Sequence, residues 1–236
     1  MQFVGTSAHT LRASLEAIKK AATTTNSRII DLFIVSAKVN STCALGQFSQ
    51  TIRGPDSMSK SEFYANILLS ARGLISGEPN KIANLANIAS LLHTEMNNWD
   101  GRNASGDEMP PAWSNWTGFY LMDDVNADGN GGKKGLVLGP FQGKPACIRI
   151  PVGRGVCGTA VSTGTTQIVR DVHAFPGHIA CDSVSMSEIV VPIRDPASGD
   201  VLGVLDIDSP SIASFDNDDA TGLEELVAFL ASEIKW

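Results

Sequence analysis

Six strand-like runs follow one another in the second half of this chain. No connection among them is long enough for the crossovers of a mainly parallel sheet. The pattern predicts strands over Thr117–Met122, Gly135–Leu138, Cys147–Val152, Thr166–Val169, Glu188–Arg194 and Val201–Ile207, with a short helix-like stretch, Gly158–Thr163, between the third and fourth. Ahead of them, Phe63, Ile67, Leu68, Ala71 and Leu74 recur at helical spacing and stop at Gly77. Ile82, Leu85, Ile88, Leu91 and Leu92 then form a second amphipathic stripe that runs to about Asn97. A last helix is predicted from Asp216 to Lys235. Two helices, then strands, then a helix is α+β grammar. The expectation is an antiparallel sheet with helices packed on one face.

Charge divides the chain. Residues 1–57 hold six Lys/Arg and three Asp/Glu, whereas 58–236 hold twelve basic and twenty-two acidic residues. The formal net charge of −7 argues against a nucleic-acid groove or an anionic membrane surface as partner. The domain reading is therefore an extension over 1–57, poorly ordered or a targeting segment, and an organised domain over 58–236. The head is rich in Ser, Thr and Ala with weak periodicity. Arg12, Lys19 and Lys20 with few acids also suit mitochondrial import, and Met58 suits an alternative start. Met1–Leu15 lacks the apolar core of a secretory signal, so four cysteines read as reduced thiols in a cytoplasmic setting. Without secretion the sequons at Asn40, Asn103 and Asn115 carry no meaning.

Several motifs reduce to ordinary roles. Gly153-Arg-Gly-Val-Cys-Gly158 satisfies G-x-G-x-x-G, but the helix after it is too short for a dinucleotide site, which leaves a glycine turn that shapes a pocket. Asp124-Val-Asn-Ala-Asp128 opens like a calcium loop, yet position twelve is Gly135, and a hairpin turn is expected. Cys147, Cys157, Cys181, His173 and His178 lack the close pairs of a structural zinc site, and no metal is expected. Cys43 stands apart in the head.

Two features resist a bland reading. Cys181 lies in a loop-like stretch where a thiol is accessible. Cys157 lies where a helix begins, and a helix N-terminus lowers a thiol pKa. Glu188, Asp206 and Asp208 fall in or beside apolar strands, where charge is costly unless paired or used. Asp206 and Asp208, two apart, share one side of a strand. Trp116, Gly118 and Tyr120 also share a face and could wall a pocket for a methyl or thioether group. A soft nucleophile, a resolving thiol and a carboxylic acid suffice to reduce a sulfoxide.

Residues from about 60 to 236 resemble the free methionine-(R)-sulfoxide reductases, a catalytic branch of the GAF domain family. The resemblance rests on Asn115-Trp-Thr-Gly-Phe-Tyr, Leu138-Gly-Pro-Phe-Gln-Gly-Lys-Pro-Ala-Cys147, Gly155-Val-Cys-Gly-Thr-Ala, Pro176-Gly-His-Ile-Ala-Cys-Asp, Ser187-Glu-Ile-Val-Val-Pro-Ile and Gly203-Val-Leu-Asp-Ile-Asp-Ser. It implies a GAF-like six-stranded antiparallel sheet flanked by helices, a small enclosed pocket and a homodimer. Residues 1–57 have no counterpart, and the Asp100–Pro111 and Asp123–Lys134 insertions are longer than usual.

By this resemblance the Cys181 thiolate attacks the sulfoxide sulfur and becomes a sulfenic acid. Cys147 then condenses with it to a disulfide that thioredoxin reduces, with Cys157 as the other candidate. Glu188, Asp206 and Asp208 bind and polarise the substrate and supply its proton, which of them being left open. Trp116 and Tyr120 hold the methylthio end. No cofactor is implied. The alternative from a different class is a GAF-type small-ligand or redox sensor without turnover.

Overall fold

Three of the four α-helices among the described residues start at a side chain able to satisfy their free N–H groups. The computed structural model describes residues 58–99, 113–123, 134–178 and 182–236. The head 1–57 with Cys43, the 100–112 loop, the Asp124–Asp128 turn and Cys181 lie outside the described residues. Ser59 and Glu62 form a reciprocal capping box that opens α1 (Lys60–Ile75). Asn80 accepts from the Ala83 N–H at 3.0 Å and opens α2 (Lys81–Asn98). Asp216 and Asp219 repeat the reciprocal cap at α4 (Asn217–Glu233). Such caps contribute about 1 kcal/mol each. The fourth helix, α3 (Gly155–Thr163), ends at Gly164, whose φ of 63° is the left-handed stop that glycine favours.

The strands are β1 (Trp116–Asp123), β2 (Gly135–Gly143), β3 (Arg149–Pro151), β4 (Gln167–Val169), β5 (Ser187–Arg194) and β6 (Val201–Ser209). They form one sheet in the order β3-β2-β1-β6-β5-β4, antiparallel at every pairing. The α+β reading and the six strands therefore hold. β2 runs further than its pattern predicts, through Pro140. The register between Gly118 and Tyr120 slips there, so the proline sits at a bulge where no ladder N–H is missed. β3 is shorter than predicted and leaves Cys147 in the segment before it.

Side chains alternate across the sheet and separate two cores. Phe119, Ile189, Val191, Ile193, Leu205 and Ile207 pack with α1, α2 and α4. Trp116, Tyr120, Val190 and Val204 point the other way and pack with Val156, Cys157 and Ala160 of α3. The expectation that all helices share one face is corrected here. Three of them do, and α3 covers the opposite face because its own apolar side chains need that second core.

The helix layer is pinned by a buried cation. Lys60 is 4% exposed, and its Nζ donates to Asp216 at 2.9 Å and to Asp219, while lying 5.5 Å from the Trp113 ring centroid. Tyr64 donates to the same Asp219 at 2.9 Å. Burial outweighs the Lys60 attraction and raises Asp219 to about 6. Lys60→Met leaves two carboxylates facing each other without a counter-charge, and we expect it to destabilise the fold by about 3–5 kcal/mol. A urea midpoint that drops with an unchanged slope would confirm this; an unmoved midpoint would refute it.

Candidate active site

The register of β5 and β6 gathers the acids. Glu188 lies directly opposite Asp208, and Val190 opposite Asp206, while Asp206 and Asp208 face Gly118 and Trp116 of β1 across the other ladder. All therefore project from the α3 face, which bears out the shared side read from the two-residue spacing. Like charges placed opposite each other on a sheet are mutually destabilising. Glu188 and Asp206 are each only 6% exposed.

The aromatic wall stands beside them. The Trp116 ring stacks on Tyr120 at 5.8 Å and on Phe141 at 5.3 Å. Its Nε1 donates to the Lys144 carbonyl at 3.1 Å, and the Tyr120 hydroxyl donates to the Cys147 carbonyl at 3.0 Å. Gly118 lies between the two wall residues, and a Cβ there would overlap Phe141 and the Trp116 ring. The strand can pass under the wall only as glycine.

The floor comes from α3. Gly153 (φ 78°) and Gly155 (φ 62°) supply the turn, and the Gly153 N–H donates to the Gly158 carbonyl at 2.8 Å. This is the glycine turn expected in place of a dinucleotide loop; the next strand, β4, lies at the far edge of the sheet from β3. The turn carries Cys157 inward, where its Sγ donates to Asp206 Oδ2 at 3.3 Å. Burial, and then the charges of Asp206 and Glu188, push this thiol well above its ordinary range. The lowering expected from the helix N-terminus is therefore overturned. Desolvation and facing carboxylates outweigh a partial dipole charge, and Cys157 is a neutral donor.

All three acids are pushed well above the usual carboxylate range. For Glu188 the causes are burial and then Asp208; for Asp206, burial and then Glu188; for Asp208, burial and then Asp206. A Glu188 carboxylate oxygen lies within 4.8 Å of one from Asp206, and Asp206 Oδ1 is buried with no hydrogen-bond partner among the described residues, so this close, desolvated pair favours keeping a proton. One ligand atom from each of Cys157, Glu188 and Asp206 lies within 4.8 Å of the other two, the one such convergence among the described residues. These are the residues that could hold a cation. His173 sits apart from them on an exposed 3-10 turn, Val172–Ala174.

One pocket thus collects Trp116, Tyr120, Cys157, Glu188, Asp206 and Asp208. Cys147 stands just beyond its lining, half-buried, with Pro145 and Ala146 forming the rim. Cys181 is outside the described residues. Sequence reasoning missed Arg154, His178, Asp182 and Ser185, which also line the pocket. Asp182 pairs with Lys144 at 3.2 Å, and Ser185 accepts from Asn115 at 3.0 Å, which ties the two sides of the rim together. For His178, Asp182 and Ser185 the signal was position, within a few residues of Cys181, with His178 weighed only as a zinc ligand; for Arg154 it was its place in the glycine turn before Cys157.

Two outcomes are expected from these electrostatics. Asp206→Asn removes the larger charge facing Cys157, so its thiol should titrate lower. Its alkylation by iodoacetamide at pH 8, followed by peptide mass spectrometry, should rise several-fold over a near-inert wild type, and equal rates would contradict the assigned cause. For stability, a carboxyl raised by folding binds more protons folded than unfolded, so stability falls as pH climbs from its ordinary value to its folded one. Glu188→Gln removes that loss. The variant should melt higher than wild type at pH 8 and show a smaller gain at pH 5; a lower melting temperature at pH 8 would overturn this account.

Comparison with known proteins places this arrangement in a family. The GAF domain model matches residues 90–234. The chain is 45% identical over 173 residues to the free methionine-R-sulfoxide reductase of Escherichia coli (strain K12), covering 73% of this chain and 89% of that one. It is 42% identical over 173 residues to the Saccharomyces cerevisiae protein of the same name, covering 73% and 86%. The solved free methionine-R-sulfoxide reductase of Neisseria meningitidis, in complex with its substrate, superposes with a TM-score of 0.62 at 39% identity, covering 78% of this chain and 95% of that one. A buried thiol–carboxyl cluster under stacked aromatic rings, on a sheet of this order and with relatives this similar, belongs to one group: the chain is a member of the free methionine-R-sulfoxide reductases of the GAF domain family.

Proposed function

We propose that this chain reduces free L-methionine-(R)-sulfoxide to L-methionine through a cysteine sulfenic acid and an intramolecular disulfide. The observation that carries the reading is the buried cluster of Cys157, Glu188 and Asp206 in a pocket walled by Trp116 and Tyr120. A sulfoxide oxygen is a strong acceptor, and a carboxyl kept protonated near neutrality is the donor it needs. The rings accept the methylthio end, and Asp208 is available to the substrate's ammonium group. A rim tied by Lys144–Asp182 favours a free amino acid over a residue within a peptide.

Cys181, by family resemblance, attacks the substrate sulfur. The S–O bond of the sulfoxide breaks and an S–O bond to the thiol sulfur forms. The substrate sulfur gains two electrons, the thiol sulfur loses them, and the carboxyl pair supplies the proton that the oxygen retains. A second thiol then displaces water to give a disulfide. Half-buried Cys147 at the rim suits this step better than Cys157, whose neutral thiol is engaged with Asp206. Thioredoxin as reductant, a homodimer and a cytoplasmic setting follow from the same resemblance, as does the assignment of catalysis to 58–236. Among the described residues no helix is long and apolar enough to cross a membrane.

The test is reduction of the separated epimers of free L-methionine sulfoxide with the thioredoxin system. Loss of R but not S is expected, with Cys181→Ser inert. If neither epimer is consumed by protein whose thiols are fully reduced, the chain is instead a ligand or redox sensor.

A further inference from the structure

In the proposed reaction Glu188 and Asp206 must recover a proton after every reduction, and each is only 6% exposed. The contacts around them form a line. Cys157 donates to Asp206 at 3.3 Å, Asp206 and Glu188 carboxylate oxygens approach within 4.8 Å, and Glu188 Oε2 lies 3.5 Å from His178 Nε2. The His178 side chain meets Glu188 through Nε2 and is 13% exposed, somewhat more than the 8% of the Glu188 side chain. Its backbone is fixed by a hydrogen bond from its own N–H to the Phe175 carbonyl at 3.2 Å. The charged and titratable groups that share the pocket with it are Glu188, Asp206 and Asp208 from the sheet, Cys157 and Arg154 from α3, and Asp182 from the rim. Of these, none but histidine ordinarily changes protonation near neutral pH.

We infer that His178 is the port through which the Glu188–Asp206 pair regains its proton, an inference that rests on the reductase reaction proposed above. In each cycle the pair gives one proton to the sulfoxide oxygen. The imidazole takes a proton from water at its outer nitrogen and passes one from Nε2 to Glu188, which returns the ring to its neutral form and the pair to its protonated form. Burial lowers the imidazole's own pKa, which keeps the resting ring neutral and able to release what it collects. His178 acts through Glu188 and does not contact the reacting sulfur in this scheme.

The experiment compares wild type, His178→Ala and His178→Gln in steady-state turnover of free L-methionine-(R)-sulfoxide at saturating reductant. The expected result is a fall in kcat of roughly 10²-fold in both variants, the scale of one lost proton transfer, with KM within about twofold. The alkaline limb of the kcat profile should move to lower pH, and free imidazole should restore His178→Ala in proportion to its concentration while leaving His178→Gln slow. Unchanged turnover in both variants, or a loss that imidazole never restores, overturns the relay. Wild-type protein that consumes neither epimer overturns the reductase reading itself, and that result is separate because no variant is needed to obtain it.

Discussion

Three carboxyl groups on one face of a sheet set the terms for everything around them. Glu188 and Asp208 are direct neighbours across two strands, and Asp206 is one pleat away. Left ionised, they would repel one another in a medium that solvates none of them. Burial and mutual repulsion favour keeping protons on them. The thiol of Cys157 donates to one, and the imidazole of His178 stands 3.5 Å from another. Acids held in this way cost the fold stability.

The sheet keeps that cost away from the stabilising core. On its other face α1, α2 and α4 bury Phe63, Trp99, Trp113 and the inward side chains of β5 and β6 in a largely apolar layer. The one buried ionic group there, Lys60 between Asp216 and Asp219, joins the start of α1 to the start of α4. Its carboxylates have a lysine in direct contact, whereas among the described residues no Lys or Arg forms an ion pair with Glu188, Asp206 or Asp208. The two faces of the same strands therefore carry opposite electrostatic solutions, and a change on one side need not disturb the other.

The parts legible in the sequence were those with a short period. Strand-like apolar runs over 188–194 and 201–207 placed the strands, and the spacing of Asp206 and Asp208 placed both on one side. Helical stripes placed α1, α2 and α4. What was misread depended on groups far along the chain. The start of α3 signals a lowered thiol, but Asp206, 49 residues on, reverses the sign for Cys157. The Lys60–Asp219 contact spans 159 residues and left no local trace. His178 read only as a zinc ligand to be dismissed, because its meaning comes from Glu188, which only the fold brings near.

The two wall residues reach past the pocket. Trp116 and Tyr120 each present a ring to the cavity and a polar tip to the backbone of the following segment, at Lys144 and Cys147. The ring that would feel an occupant and the backbone that carries a thiol are thus opposite ends of one rigid lever. A shift of either ring would pull on that backbone or strain its hydrogen bond, which links the cavity wall mechanically to the segment that carries Cys147.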